Sequence, residues 1–284
     1  RVPGSTTSQP VLAMNEVVVR FGGVVALDGV SLQVHPREVL GVIGPNGAGK
    51  TTLFNVACGF VRPTEGRLLF DGEDVTGWQP HHLVDHGVAR SLQGLGLFGR
   101  LSVLDNVLVG ADRHARTSFL GSLFAAPTAT KDERALRDRA MAVLQRLGIE
   151  DHAGDIVGSL PYPLRKRVSL ARALVAEPRL MLLDEPASGL SESEMSELGD
   201  IIVDLAQDVS VMLVEHHMDL VMRVCQRLTV LDFGRVIATG SPDDVRDDPA
   251  VLEAYLGGVV EDDASDEPTP GTTGETTRKG SSRA

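Results

Sequence analysis

An apolar run, Val39-Leu40-Gly41-Val42-Ile43, leads directly into GPNGAGKT at residues 44–51. No other stretch constrains the fold as much. Two glycines separated by four residues and followed by Lys50 and Thr51, placed between a strand and a helix start, form a phosphate-binding loop. Gly44, Gly47 and Gly49 let the backbone turn tightly with its N–H groups inward, and the helix behind them adds the positive end of its dipole. Lys50 then reaches phosphate oxygens as a point charge, and the Thr51 hydroxyl suits Mg²⁺. The following helix is expected over Thr51–Gly59, with Gly59 as its stop.

The 284 residues suffice for a sizeable core, and 42% hydrophobic with 23% charged residues is ordinary globular composition. No apolar run reaches the length of a membrane span, and no signal-peptide pattern opens the chain. A net charge of -12 and a pI near 5.1 argue against nucleic acid as a partner, because phosphate backbones need clustered Lys and Arg. Cys58 and Cys225 have no metal-ligand spacing and read as buried thiols of a reducing compartment. The chain opens at Arg1 with its first Met at Met14, so a longer product is expected.

Residues 1–10 are polar and turn-rich, and read as a disordered leader. Val17–Arg20, Val24–Ala26, Val30–Val34 and Arg67–Phe70 alternate between Gly and Asp turns, as short antiparallel strands do. Phe21 at the end of the first strand either packs or, given a nucleotide, stacks on its base. From Ser102 to about Pro161 the period is helical. Thr130 and Glu133 form a capping box, and Leu136, Ala140, Val143, Leu144 and Leu147 share one face. This is a helical insertion, about residues 94–165, in an α/β core.

A helix over Leu164–Ala176 is followed by the buried strand Leu180–Leu183, which ends in Asp184-Glu185. Carboxylates at a strand's C-terminal end sit where open parallel sheets bind ligands. Either this is an acidic turn, or Asp184 partners Mg²⁺ and Glu185 activates the attacking water. Ser191 and Glu194 cap the next helix, which buries Met195, Leu198, Ile202 and Leu205. Val211–Val214 is another buried strand, closed by Glu215-His216-His217. His216 there is a structural histidine or a γ-phosphate contact. Strands at Arg227–Leu231 and Val236–Ala238 and a helix around Val251–Leu256 follow. Beyond Gly258 the chain is acidic, then rich in Thr, Gly, Pro and Ser, and residues 259–284 read as a disordered tail.

With FNVACGFVRPTEGRLLFDGEDVTG, LSVLDNVLVG, LLDEP, VEHHMDLVM and AYLG in this order, residues 11–258 resemble the nucleotide-binding domain of ABC transporters. Within that superfamily they look most like the ATPase subunits of branched-chain amino acid importers. The resemblance implies a P-loop NTPase core with a mainly parallel sheet, an N-terminal antiparallel β subdomain and an inserted α-helical subdomain. It implies Mg²⁺-dependent ATP hydrolysis. ATP would be held by Phe21, Gly44, Asn46, Gly47, Ala48, Gly49, Lys50, Thr51 and Thr52, and Mg²⁺ by Thr51, Gln93 and Asp184. Glu185 would be the catalytic carboxylate, His216 the γ-phosphate switch, and Gln93 a hinge sensing Mg²⁺ and the permease.

It further implies a head-to-tail ATPase dimer, integral-membrane permease subunits docking near Leu95, Leu97 and Phe98, and indirectly a periplasmic or lipoprotein substrate-binding protein. The location implied is cytoplasmic, on the inner face of the membrane. A regulatory ATP-binding subunit with little turnover, and a soluble ABC ATPase outside transport, are the alternatives.

Departures from the pattern qualify this. Where the family reads LSYGQQRR, this chain has Leu160-Pro-Tyr-Pro-Leu-Arg-Lys-Arg167, with Pro161 at the serine and Pro163 at the glycine. Proline lacks the N–H and adds a ring, although it is tolerated in a helix's first turn. Ser191 replaces the usual Asp or Asn, and His217 the usual Asp. An asymmetric heterodimer is expected, because this signature segment suits a partner's ATP poorly.

Overall fold

The computed structural model describes residues 9–91, 95–111 and 127–262. The leader up to residue 8, Gln93, and the tail from residue 263 lie outside them. At the N-terminus the alternation yields two long antiparallel strands, β1 (Leu12–Phe21) and β2 (Val24–Val34). The segments expected as separate strands at Val24–Ala26 and Val30–Val34 are therefore one. Register shifts between Met14 and Val17 and between Val17 and Arg20 absorb the mismatch, and Gly29 in β2 takes φ +71°.

β3 (Val39–Ile43) and α1 (Lys50–Ala57) follow, and β4 (Glu65–Phe70) and β5 (Glu73–Asp74) complete a four-stranded antiparallel sheet of order β2-β1-β4-β5. The rest of the chain builds around β3. In order come α2 (His82–Asp85), β6 (Val88–Arg90), α3 (Val103–Gly110), α4 (Pro127–Arg146), α5 (Tyr162–Leu174), β7 (Leu180–Asp184) and α6 (Glu192–Leu205). Then come β8 (Ser210–Val214), α7 (Met218–Val224), β9 (Arg227–Asp232), β10 (Arg235–Gly240), α8 (Pro242–Arg246) and α9 (Pro249–Asp262). The second sheet has order β10-β9-β3-β8-β7-β6, parallel except for β10.

β3, β7 and β8 are buried throughout, as strands covered on both faces must be. Successive residues serve opposite cores. Leu40, Val42, Leu180, Leu182, Met212 and Val214 pack with α1 and the antiparallel sheet. Val39, Ile43, Met181, Leu183, Val211 and Leu213 pack with α3 to α7. The site therefore lies at the C-terminal ends of strands that two cores hold in place.

The helical segment differs in detail from expectation. Helix α4 starts at Pro127, so Thr130 lies inside it rather than capping it. Helix α5 starts at Tyr162, two residues early, because a first turn accepts Pro163. Helix α9 runs to Asp262, past the expected boundary at Gly258. Among the described residues no helix is long and apolar enough to cross a membrane.

Helices α3 and α5 approach closely at Gly110, where an added Cβ would lie 2.0 Å from the Arg172 carbonyl oxygen. Gly110→Ala is therefore expected to destabilise the protein by about 1–3 kcal/mol through overpacking. Chemical denaturation checks this, and an unchanged midpoint would show that the two helices can separate freely.

Candidate nucleotide site

At the end of β3 the chain takes a path open only to glycine. Gly44 has φ +150°, and a Cβ there would sit 2.1 Å from the Leu231 carbonyl oxygen of β9. Gly49, with φ +100°, caps α1, and its Cβ would meet the Ala26 oxygen at 2.8 Å. The loop thus fits between β9 and β2 by lacking side chains. Among the described residues no side chain caps α1, and no acidic residue occupies its first turn. Its N–H groups and positive dipole end remain available to an anion.

The Lys50 ammonium folds over the loop, donating to the carbonyls of Gly44 at 2.7 Å and Pro45 at 2.8 Å. Burial lowers its pKa, and the nearby Glu185 opposes that shift. Asn46, Gly47 and Thr51 are exposed, Thr52 is half-buried, and Ala48 is buried in the loop wall. A glycine cradle, an uncapped helix start and a lysine in one place suit a phosphate chain.

Two strands away, Asp184 ends β7 and is 7% exposed. Burial raises its pKa; Arg90 pulls it down, and Glu185 and Glu215 push it up. The Arg90 guanidinium sits over the rings of Phe54 at 5.2 Å and Phe60 at 4.6 Å. A buried carboxylate crowded by two others fits a divalent cation. Glu185 follows in the left-handed region, with φ 45°, and its N–H donates to the Val214 carbonyl at 2.8 Å. Its carboxylate lies 3.7 Å from His216 Nδ1.

The expected residues Lys50, Asp184, Glu185 and His216 thus converge at the ends of β3, β7 and β8. Phe21 is 53% exposed at the β1–β2 hairpin, and β2 then passes Gly49 at Ala26. Gln93 lies outside the described residues, between Ser91 and Leu95.

Two residues to which the sequence assigns no role of their own also join the site. Glu215, 1% exposed, accepts hydrogen bonds from the N–H groups of Ala187, His216 and His217. Arg90 is the other. In the sequence each is a charge at the end of a short strand, Val88–Arg90 or Ser210–Val214.

The signature segment forms a sound helix with a poor N-terminus. Pro161 is its N-cap and Pro163 falls in its first turn, so of residues 161–164 only Tyr162 and Leu164 carry an N–H. Ser191 is engaged in a complete capping box with Glu194, which accounts for a serine there on local grounds.

The family model described as "ABC transporter" matches residues 27–188, more than half of the chain. The chain belongs to the ABC transporter family. A second model, "Branched-chain amino acid ATP-binding cassette transporter", matches residues 235–261. This ABC cassette is 39% identical to the high-affinity branched-chain amino acid transport ATP-binding protein BraF of Pseudomonas aeruginosa, over 88% of this chain and 99% of that protein. It is 37% identical to the corresponding LivG of Escherichia coli over the same shares.

A solved ATP-binding cassette of an ABC transporter in its ADP conformation superposes with a TM-score of 0.75 and 32% identity, covering 88% of this chain and 100% of that one. A nucleotide-free cassette gives 0.73 and 31%, covering 87% and 98%. The expected fold, an α/β cassette with an antiparallel sheet and a mostly parallel one, is the fold observed. As a member of this family the chain is an ABC transporter ATPase, and such ATPases bind ATP and generally use Mg²⁺.

Proposed function

We propose that this cassette powers a membrane importer of branched-chain amino acids or related amides, bound to permease subunits on the cytoplasmic face and fed by a separate substrate-binding protein. The likeness to BraF and LivG supports the transport system, and one observation carries the ATPase. The acid-free start of α1 bears Lys50 close enough to Glu185 to feel its charge, with Asp184 next to Glu185, as a phosphate chain with a divalent cation requires. Phe21 would stack on the base, the loop from Gly44 to Thr52 with Lys50 would hold the phosphates, and Thr51, Asp184 and Gln93 would hold Mg²⁺. The cation would supply positive charge against the negative charge of the phosphates. Glu185 takes the proton of the attacking water, and His216 donates to the γ-phosphoryl group.

The unit is residues 11–258 with α9, flanked by leader and tail. Phe98, 51% exposed beside the partly buried Leu95 and Leu97, serves the permease contact.

The cassette works in an asymmetric pair. Its own phosphate loop, Asp184 and Glu185 are all present, whereas the first turn of α5 offers a partner's ATP fewer N–H groups than a serine-glycine segment would. Hydrolysis by the purified chain alone is expected to be weak, and to rise about tenfold or more with a cognate cassette whose signature segment is intact. Pro163→Gly should raise the rate of the isolated chain. Robust turnover of the isolated chain, indifferent to Pro163→Gly, would refute the asymmetric pair.

A further inference from the structure

Among the described residues, every hydrogen bond to the Glu215 carboxylate comes from a residue beside the reaction centre. One oxygen accepts from Ala187 N–H at 2.8 Å. The other accepts from the N–H groups of His216 at 2.8 Å and His217 at 3.1 Å, and pairs with His217 Nδ1 at 2.8 Å. Burial raises its pKa, and the hydrogen bonds from His217, Ala187 and His216 outweigh burial and keep it ionised.

The bond to Ala187 bears directly on Glu185. The peptide joining Pro186 to Ala187 is held at both ends, its N–H by Glu215 and its C=O by the Lys166 ammonium of α5 at 2.6 Å. Glu185 precedes that peptide with φ 45°. A non-glycine residue stays in the left-handed region only where its surroundings hold it there. Here the holders are the Val214 carbonyl before it and the clamped peptide after it. The same Glu215 carboxylate fixes the backbone of His216.

We propose that Glu215 is a positioning residue for hydrolysis: one buried carboxylate sets the spacing between the turn presenting Glu185 and the turn presenting His216. His217 completes it. An acidic side chain, as the resemblance places at that position, could add no donor to Glu215, whereas the imidazole adds a fourth. Lys166 ties the signature-bearing helix α5 to the same peptide, so movement of that helix reaches Glu185 through a single peptide plane. The proposal rests on the hydrolytic roles of Glu185 and His216.

The test uses the chain assembled with its partner cassette and permease. It compares kcat and KM for Mg-ATP, equilibrium binding of a fluorescent ATP analogue, and the thermal midpoint. Glu215→Gln keeps the volume but turns one acceptor into a donor facing an N–H. Its kcat is expected to fall about tenfold or more well below the midpoint, with nucleotide affinity within about threefold, since small misplacements of reacting groups cost rate more than binding. His217→Ala, altering a partly exposed ring, is expected to lower kcat about threefold by the same route.

Wild-type kcat in Glu215→Gln overturns the proposal even if the midpoint drops, because the residue is then merely structural. If Glu215→Gln does not fold, His217→Ala decides: an unchanged rate overturns the proposal. Turnover in the wild-type complex that Glu185→Gln leaves intact overturns the hydrolytic reading itself, and the proposal with it. Turnover lost in Glu185→Gln but kept in Glu215→Gln overturns the proposal alone.

Discussion

Glu185→Gln is expected to lower ATP turnover of the assembled complex by about 100-fold or more, the size of effect that a positioned general base supplies. ATP affinity should change by no more than a few-fold. The substitution exchanges a carboxylate for an amide of the same size and takes one negative charge away from Lys50 and Asp184, while the backbone N–H remains bonded to Val214. Phosphate release read alongside equilibrium nucleotide binding separates the two effects. Retained turnover would mean that the base is elsewhere, and would favour a regulatory role for the site.

Lys50→Ala is expected to act in the opposite sense, on binding. The ammonium lies over the loop, half-buried and bonded to two of its carbonyls, so it stands where phosphate charge would be felt in a reduced dielectric. Hydrogen bonds to charged groups contribute about 1.5–3 kcal/mol, which corresponds to roughly a 10- to 100-fold loss of ATP affinity. The fold should persist, because the Pro45 carbonyl also accepts from Ala48 N–H at 3.2 Å and β3 stays paired to β8 and β9. Titration calorimetry with Mg-ATP measures the loss, and unchanged affinity would place the phosphates somewhere other than the loop.

The phosphate loop, Asp184-Glu185 and His216 were visible in the sequence because each is local: an apolar strand, then chemistry, within a few residues. What escaped depends on distance. Glu215 draws its function from the N–H of Ala187, 28 residues away, which no pattern of side chains encodes. β2 read as two strands because Asp28 and Gly29 carry a turn's composition, while pairing to β1 overrides it. Thr130 and Glu133 had the right spacing for a cap inside what is a longer helix. The three-residue β6 gains its strand character only by adding to β7. Helix α5 begins at Tyr162 rather than at the expected Leu164, because a first turn does not need the N–H of Pro163.

That last point separates helix formation from ligand binding. Pro161 and Pro163 cost α5 little as a helix and remove N–H groups from the end that would meet a second cassette's nucleotide. Ser191 and His217 likewise satisfy local needs, as a helix cap and as a donor to Glu215.

Molecular mass measured on the Glu185→Gln chain with ATP tests the composite site most directly, since blocked hydrolysis leaves any ATP-bridged dimer intact. ATP is expected to bind with the mass remaining that of a monomer, and a one-to-one complex to form when the partner cassette is added. A mass that doubles on addition of ATP alone would contradict it.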